Sequence, residues 1–119
     1  MEIRLLTKAD GPLLRKVAEG VFDNAVDEGV VVGFASAIHC VHPDKPTELW
    51  INEVGVTPAY QRRGLAKAIL RELLSHARSI GCTQAWVLTD EDNGPARALY
   101  QSVGGDGGQP SLMVTIDLR

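Results

Sequence analysis

Hydrophobic and polar positions change period several times along the chain, and each change marks an element. Ile3 and Leu5 alternate with Arg4, and Leu6 ends the run, which predicts a short first strand over residues 2 to 7. Asp10 stands as an N-cap with Pro12 in the first turn, and Leu13, Leu14, Val17 and Val21 recur at helical spacing. A helix is therefore predicted that ends between Gly20 and Asp23. The β-branched run from Val30 to Val41 predicts a long strand, which His42-Pro43-Asp44-Lys45-Pro46 breaks with turn chemistry. Glu48 to Val56 reads as its hairpin partner.

After Thr57-Pro58 the period becomes 3.6. Leu65, Ile69, Leu73 and Ala77 form one stripe, Ala66, Leu70 and Leu74 its neighbour, and Gly81 suits the C-terminal end of the helix. Gln84 to Thr89 predicts another strand and Pro95 to Val103 a short helix. A glycine-rich turn from Gly104 to Gly108 then leads to a last strand over Leu112 to Leu118. The order β-α-β-β-α-β-α-β predicts an α/β (α+β) fold with a mixed central sheet flanked by helices.

At 119 residues the chain has the length of one domain, and its 45% hydrophobic content suits a packed core. Fifteen acidic against twelve basic side chains give a net charge of -3, so no general basic field holds nucleic acid or an anionic membrane. Function must come from a local site. Cys40 and Cys82 lack CxxC spacing and read as small buried hydrophobes in a reducing compartment. His39, His42 and His76 share no ligand spacing, and no metal is expected. MEIRLLTKAD has no basic start followed by an apolar run, and a cytoplasmic location is expected.

The chemistry concentrates where strand turns into helix. From 61 to 71 there are four basic residues, Arg62, Arg63, Lys67 and Arg71, and no acidic one, and Gly64 allows backbone to come close to a ligand. A helix N-terminus with unpaired N–H groups and added cations is an anion site suited to a diphosphate. The other reading is a solvated helix start with ordinary surface cations.

Two motifs carry a family resemblance. Gln61-Arg62-Arg63-Gly64-Leu65-Ala66 is similar to the Q/R-x-x-G-x-G/A signature of the GCN5-related N-acetyltransferases, and Asn93 to Gly104 resembles that family's N-x-x-A-x-x-L-Y-x-x-x-G helix. Within the family, the resemblance is nearest to single-domain aminoglycoside 3-N-acetyltransferases, which carry a carboxylate eight residues before the signature, where Glu53 stands here.

The resemblance implies acetyl-CoA as co-substrate, with the backbone amides of Gln61, Arg62, Arg63, Gly64, Leu65, Ala66 and Lys67 on its diphosphate. It implies Val54, Gly55 and Val56 beside the pantetheine arm as an added strand, and Asn93, Ala96 and Leu99 on the other side of that arm. Tyr100 would be the general acid toward the thiolate; an aromatic on a short amphipathic helix is otherwise plain core. Glu53 is the candidate general base, opposite in face to Val54 and Val56 and partly buried; its other reading is an exposed carboxylate or ion-pair partner. Asp90-Glu91-Asp92 reads either as a solvated loop or, with Glu53 and with Asp23, Asp27 and Glu28, as the wall of a cleft for polycationic amines.

The match has two departures. The family has a second helix and another strand where only Asp23 to Gly29 is available, so the single domain over 1–119 reads as short of one helix and strand near 24–29. Gly105 replaces a large apolar residue after the helix-closing glycine. The implied function is acetyl transfer to a primary amine of a small molecule, an aminoglycoside among the candidates, by direct attack in a ternary complex. The alternatives are a protein or peptide N-terminal acetyltransferase and a non-catalytic acyl-CoA-binding regulatory module. A homodimer is left open.

Overall fold

Each strand lies beside its neighbour in sequence. β1 (Glu2–Leu5), β2 (Val21–Asp27), β3 (Val30–Cys40), β4 (Glu48–Val56) and β5 (Gln84–Val87) form one sheet in the order β1-β2-β3-β4-β5. Strands β1 to β4 run antiparallel, and β5 joins β4 in parallel. A parallel pair needs a crossover, which α1 (Leu65–Ser79) supplies. A second helix, α2 (Gly94–Ser102), follows β5. The computed structural model describes residues 2–5, 21–27 and 29–119. Contacts divide the chain into two compact units, residues 1–88 with the sheet and α1, and residues 89–119 with α2.

The core of the first unit lies between α1 and one face of the sheet. The predicted stripe does the burying: Leu65, Ile69, Leu70, Leu73 and Ala77 are the buried positions of α1. Leu49 of β4 is buried with them, along with Ala25, Ala35, Ala37 and Ile51. Side chains as large as Leu49, Ile69, Leu70 and Leu73, all wholly buried, contribute about 1.5–3 kcal/mol each. Gly33 sets how closely helix and sheet approach. A Cβ there would lie 3.0 Å from Ile69 Cδ1 and 3.3 Å from the Gly55 carbonyl oxygen.

Two β-bulges shape the sheet. Between β2 and β3 the pairing steps from Ala25 with Gly33 to Val26 with Val31, so Val32 is an extra residue. Between β3 and β4 it steps from Ser36 with Glu53 to Ala37 with Ile51, leaving Asn52 extra. The second bulge resolves a conflict in the sequence, where apolar residues sit at odd positions (Leu49, Ile51) and then at even ones (Val54, Val56). Ile51 opposes Ala37, Val54 opposes Ala35, and Val56 opposes Gly33, so all three share the face that Gly33 turns to Ile69. Glu53 and Gly55 fall on the other face.

The structure corrects two predicted elements. Val21–Asp27 is a strand, where the sequence pattern ends a helix and leaves a connection too short for a strand. Its local pattern has no clean period, and its extended form is fixed by hydrogen-bonded neighbours on both sides, β1 and β3. The rest of the predicted helix, from Asp10 through Leu13, Leu14 and Val17, lies outside the described residues. Leu112 to Leu118 form no strand, and Leu112, Val114, Ile116 and Leu118 are exposed. Alternation alone does not make a strand, and residues 89–119 contain no other strand to pair with. β5 also ends at Val87 rather than at Thr89.

Crowding at Gly33 gives a stability test. Gly33→Ala destabilises the protein by about 1–3 kcal/mol in chemical denaturation, because Ile69 and a backbone oxygen must both shift. Gly107→Ala, where a Cβ meets nothing within 4 Å, changes stability by less than about 0.5 kcal/mol.

Candidate functional site

The turn from β4 into α1 is pinned before it reaches its charged residues. The Val32 carbonyl at the bulge accepts both the Thr57 backbone N–H at 2.7 Å and the Thr57 hydroxyl at 2.5 Å. Pro58–Tyr60 form one turn of 3-10 helix, and the Gln61 side-chain amide donates back to the Val56 carbonyl at 3.0 Å. The chain then enters the left-handed region twice, at Arg62 (φ 62°) and Gly64 (φ 72°). Arg62 is the one non-glycine residue with positive φ among the described residues. Strain of this kind persists where surrounding contacts hold it.

This backbone delivers an uncapped helix end. Gly64 is the N-cap of α1 and supplies no side-chain cap, and the first turn holds no acidic residue. The Ala68 N–H is the first to reach a helical acceptor, the Gly64 carbonyl at 3.1 Å. The N–H groups of Leu65, Ala66 and Lys67 therefore have no acceptor within the helix. Gly64 is itself exposed, and a Cβ on it would meet nothing within 4 Å. Arg62 and Arg63 are exposed beside it, and Lys67 is half-buried. Leu65 is buried in the core and offers the site its N–H alone. Donors, helix dipole and cations together suit a diphosphate.

Beside the turn, β4 outruns its partner. The β4–β5 ladder runs from Glu48 with Gln84 to Ile51 with Val87 and stops, while Asn52 to Val56 continue against β3 alone. Val54 and Val56, both half-buried, thus turn their main-chain groups to a side with no strand partner among the described residues, where the Val56 carbonyl meets the Gln61 amide, while half-buried Gly55 pairs with Phe34 of β3. Glu53 stands in this stretch, opposite in face to Val54 and Val56 as the alternation predicts. The partial burial expected of it is not found: Glu53 is exposed, because the extra residue at Asn52 turns it off the α1 face.

Sequence reading passed over Tyr60. Its hydroxyl donates to Asp27 Oδ2 at 2.5 Å, and the Arg63 guanidinium carbon lies 5.2 Å from its ring centroid. The available signal was an aromatic three residues ahead of an arginine in a turn, a pattern too common to stand out.

In the second unit, Asn93 caps α2. Its Oδ1 accepts the Ala96 N–H at 3.1 Å, with Pro95 in the first turn. Arg97 ties the loops together by donating to the carbonyls of Glu91 at 3.1 Å and Gly107 at 3.4 Å. Ala96, Leu99 and Tyr100 are half-buried, and burial pushes the Tyr100 phenol above the usual tyrosine value. The phenol therefore stays neutral at physiological pH. Gly105 has a local cause: its N–H donates to the Tyr100 carbonyl at 2.9 Å, and a Cβ would lie 2.8 Å from that oxygen. Asp90, Glu91 and Asp92 are exposed.

The remaining candidates are accounted for in the first unit. His42 Nε2 and Lys45 Nζ meet Glu48 Oε1 at 3.0 and 3.4 Å, closing the β3–β4 hairpin. Trp50 stacks on Trp86 across β4 and β5, with centroids 5.3 Å apart. Cys40 and Cys82 are free thiols, half-buried rather than buried, and burial, then the Cys40 thiol, pushes Cys82 up. Among the described residues no three His, Cys, Asp or Glu side chains gather as a metal site, and no helix is long and apolar enough to cross a membrane.

Known proteins resemble this chain in sequence and in fold. N-alpha-acetyltransferase RimI of Mycobacterium tuberculosis is 45% identical over 76 residues, which cover 64% of this chain and 46% of RimI. A mycothiol acetyltransferase of Pseudarthrobacter chlorophenolicus is 35% identical over 106 residues, 83% of this chain and 32% of that protein. The chain thus spans less than half the length of these curated relatives. By structure, an aminoglycoside acetyltransferase from an uncultured soil metagenomic sample, in complex with sisomicin, matches with a TM-score of 0.87 at 14% identity, covering 99% of this chain and 96% of that one. Aminoglycoside N-acetyltransferase AAC(6')-Iy in complex with CoA matches with a TM-score of 0.77 at 20% identity, covering 98% and 99%. At such identities these two structures establish the mixed-sheet fold. The sequence profile of the acetyltransferase (GNAT) family matches residues 4–104. That match runs from within β1 past the end of α2 and takes in both the turn before α1 and the Asn93-capped helix, so the chain belongs to the GNAT acetyltransferase family.

Proposed function

We propose that the chain is an acetyl-CoA-dependent N-acetyltransferase that acetylates a primary amine in a ternary complex. The observation that carries this reading is the turn at 61–67, where two left-handed residues present an exposed, uncapped helix N-terminus flanked by cations. In this reading the N–H groups of Arg62 to Lys67, with the side chains of Arg62, Arg63 and Lys67, hold the diphosphate of acetyl-CoA, while the Gln61 N–H expected among them donates to the Pro58 carbonyl at 3.3 Å within the turn. The open side of the strand at Val54, Gly55 and Val56 pairs with the amides of the pantetheine arm, and Asn93, Ala96 and Leu99 of the second unit are further candidates to contact the coenzyme. Bound acetyl-CoA supplies a thioester whose carbon–sulfur bond breaks as the carbon–nitrogen bond to the amine forms.

The protons are then the protein's task. Glu53, exposed and free to meet an acceptor from solvent, takes the proton that the amine sheds. Tyr100, held neutral by burial, donates to the departing sulfur. A strand N–H near the thioester carbonyl would stabilise the charge that develops on its oxygen. A small-molecule amine, an aminoglycoside included, is the favoured acceptor, supported by the likeness in fold to an enzyme solved with sisomicin. A second reading, the α-amine of a protein or peptide, is favoured by the 45% identity to RimI.

Acetyl-CoA incubated with aminoglycosides, polyamines, amino acids and peptides bearing free N-termini separates these readings by thiol release and product mass. An acetylated product names the acceptor class, and no turnover across the whole panel rules the enzyme reading out. Tyr100→Phe lowers kcat by about 10²-fold or more with KM for acetyl-CoA little changed. Because burial shifts the phenol upward, the limb of the kcat profile that reports loss of the general acid lies above that of an ordinary tyrosine. A Tyr100→Phe protein that binds coenzyme A and turns over like wild type leaves Tyr100 without an acid role. Glu53→Gln lowers kcat by about 10²-fold, most at the acidic end where the amine is hardest to deprotonate.

A further inference from the structure

Arg63 differs from an ordinary surface cation in how it is held. Among the described residues it forms no ion pair with a carboxylate, and its guanidinium lies over the face of the Tyr60 ring. The Asp27 carboxylate instead accepts the Tyr60 hydroxyl at 2.5 Å, and the Tyr60 ring carries the Arg63 guanidinium at 5.2 Å. Asp27 and Tyr60 are both half-buried, whereas Arg63 is exposed. The order of contacts matters electrostatically. A direct Asp27–Arg63 ion pair would cancel the positive charge beside the helix end, whereas a ring face holds a guanidinium by its quadrupole and leaves that charge available. A phenol that donates to a carboxylate is also polarised toward greater electron density in the ring, which strengthens its hold on a cation.

We propose that Tyr60, moored by Asp27, is a positioning residue that holds Arg63 uncompensated beside the N-terminus of α1 for the diphosphate of the coenzyme. The inference rests on the coenzyme reading given above. Tyr60 touches no reacting atom and acts through Arg63, whose long side chain is ordered before the ligand arrives, so that less freedom is lost on binding. The ring and the hydroxyl have separable tasks: the ring holds the guanidinium, and the hydroxyl holds the ring.

The effect must follow the diphosphate. Tyr60→Leu raises KM for acetyl-CoA about 3–5-fold, and Tyr60→Phe, which keeps the ring and loses its mooring, about 2-fold, with kcat unchanged in both. With S-acetyl-pantetheine, a donor that lacks the diphosphate, kcat/KM stays at the wild-type value in both variants. In an Arg63→Ala background Tyr60→Leu adds nothing further, since the residue it positions is gone. Parallel losses with the two donors would mark a merely structural role and overturn the proposal, as would unchanged KM for acetyl-CoA in Tyr60→Leu. Calorimetric titration of the wild-type protein with coenzyme A separates the two levels. No binding removes the coenzyme reading itself, whereas wild-type binding matched by Tyr60→Leu removes the positioning role alone.

Discussion

The carbonyl of Val32 closes the β3–β4 ladder one step beyond the Gly33–Val56 pair and accepts two donors of Thr57, one from the backbone and one from the side chain. A buried carbonyl without a partner would cost about 1–3 kcal/mol, so this acceptor holds Thr57 firmly. The end of β4 is fixed to β3 at the residue where the chain must turn. Everything after it inherits that position: the single turn of Pro58–Tyr60, the left-handed steps at Arg62 and Gly64, and the first N–H groups of α1. The other end of the helix problem is settled by packing. Leu65, Ile69 and Leu73 bury α1 against the sheet, so the donors at its start cannot drift from the turn that aims them.

The sheet loses its regular pairing beside the turn into α1. A complete ladder has every N–H and C=O engaged and nothing to offer a ligand. Here β4 loses its parallel partner after Ile51 while its antiparallel partner continues, and the bulge at Asn52 sits at that point. The bulge keeps Val54 and Val56 on the packed face and puts Glu53 on the other, so one strand packs the core with some side chains while the proposed coenzyme contact falls to its backbone. In the proposed function, packing and coenzyme contact fall to different atoms of the same residues.

How much of this was legible in the sequence follows from how local each cause is. α1 was legible because its stripe of apolar residues and its terminal glycines lie within one stretch of chain. The turn was legible because Gln61 to Ala66 put glycine and cations where a strand gives way to a helix. β2 was not legible, since its extended form comes from β1 and β3 on either side rather than from its own residues. Leu112 to Leu118 erred in the opposite direction: alternation was present and a partner was not. The bulged residues Val32 and Asn52 have no signature of their own, and with Asn52 went the exposure of Glu53. Tyr60 gains its meaning from Asp27, thirty-three residues earlier, a relation that only the folded chain contains.

Arg62 brings stability and ligand binding into opposition at a single residue. A left-handed backbone costs a non-glycine residue about 1–2 kcal/mol, which glycine in its place would recover. The same replacement would delete a cation from the helix start and let the turn relax away from the shape that converges its amides. In the proposed coenzyme site, a sturdier fold and a tighter anion site therefore favour different amino acids at this position, and the chain carries arginine there at φ 62°.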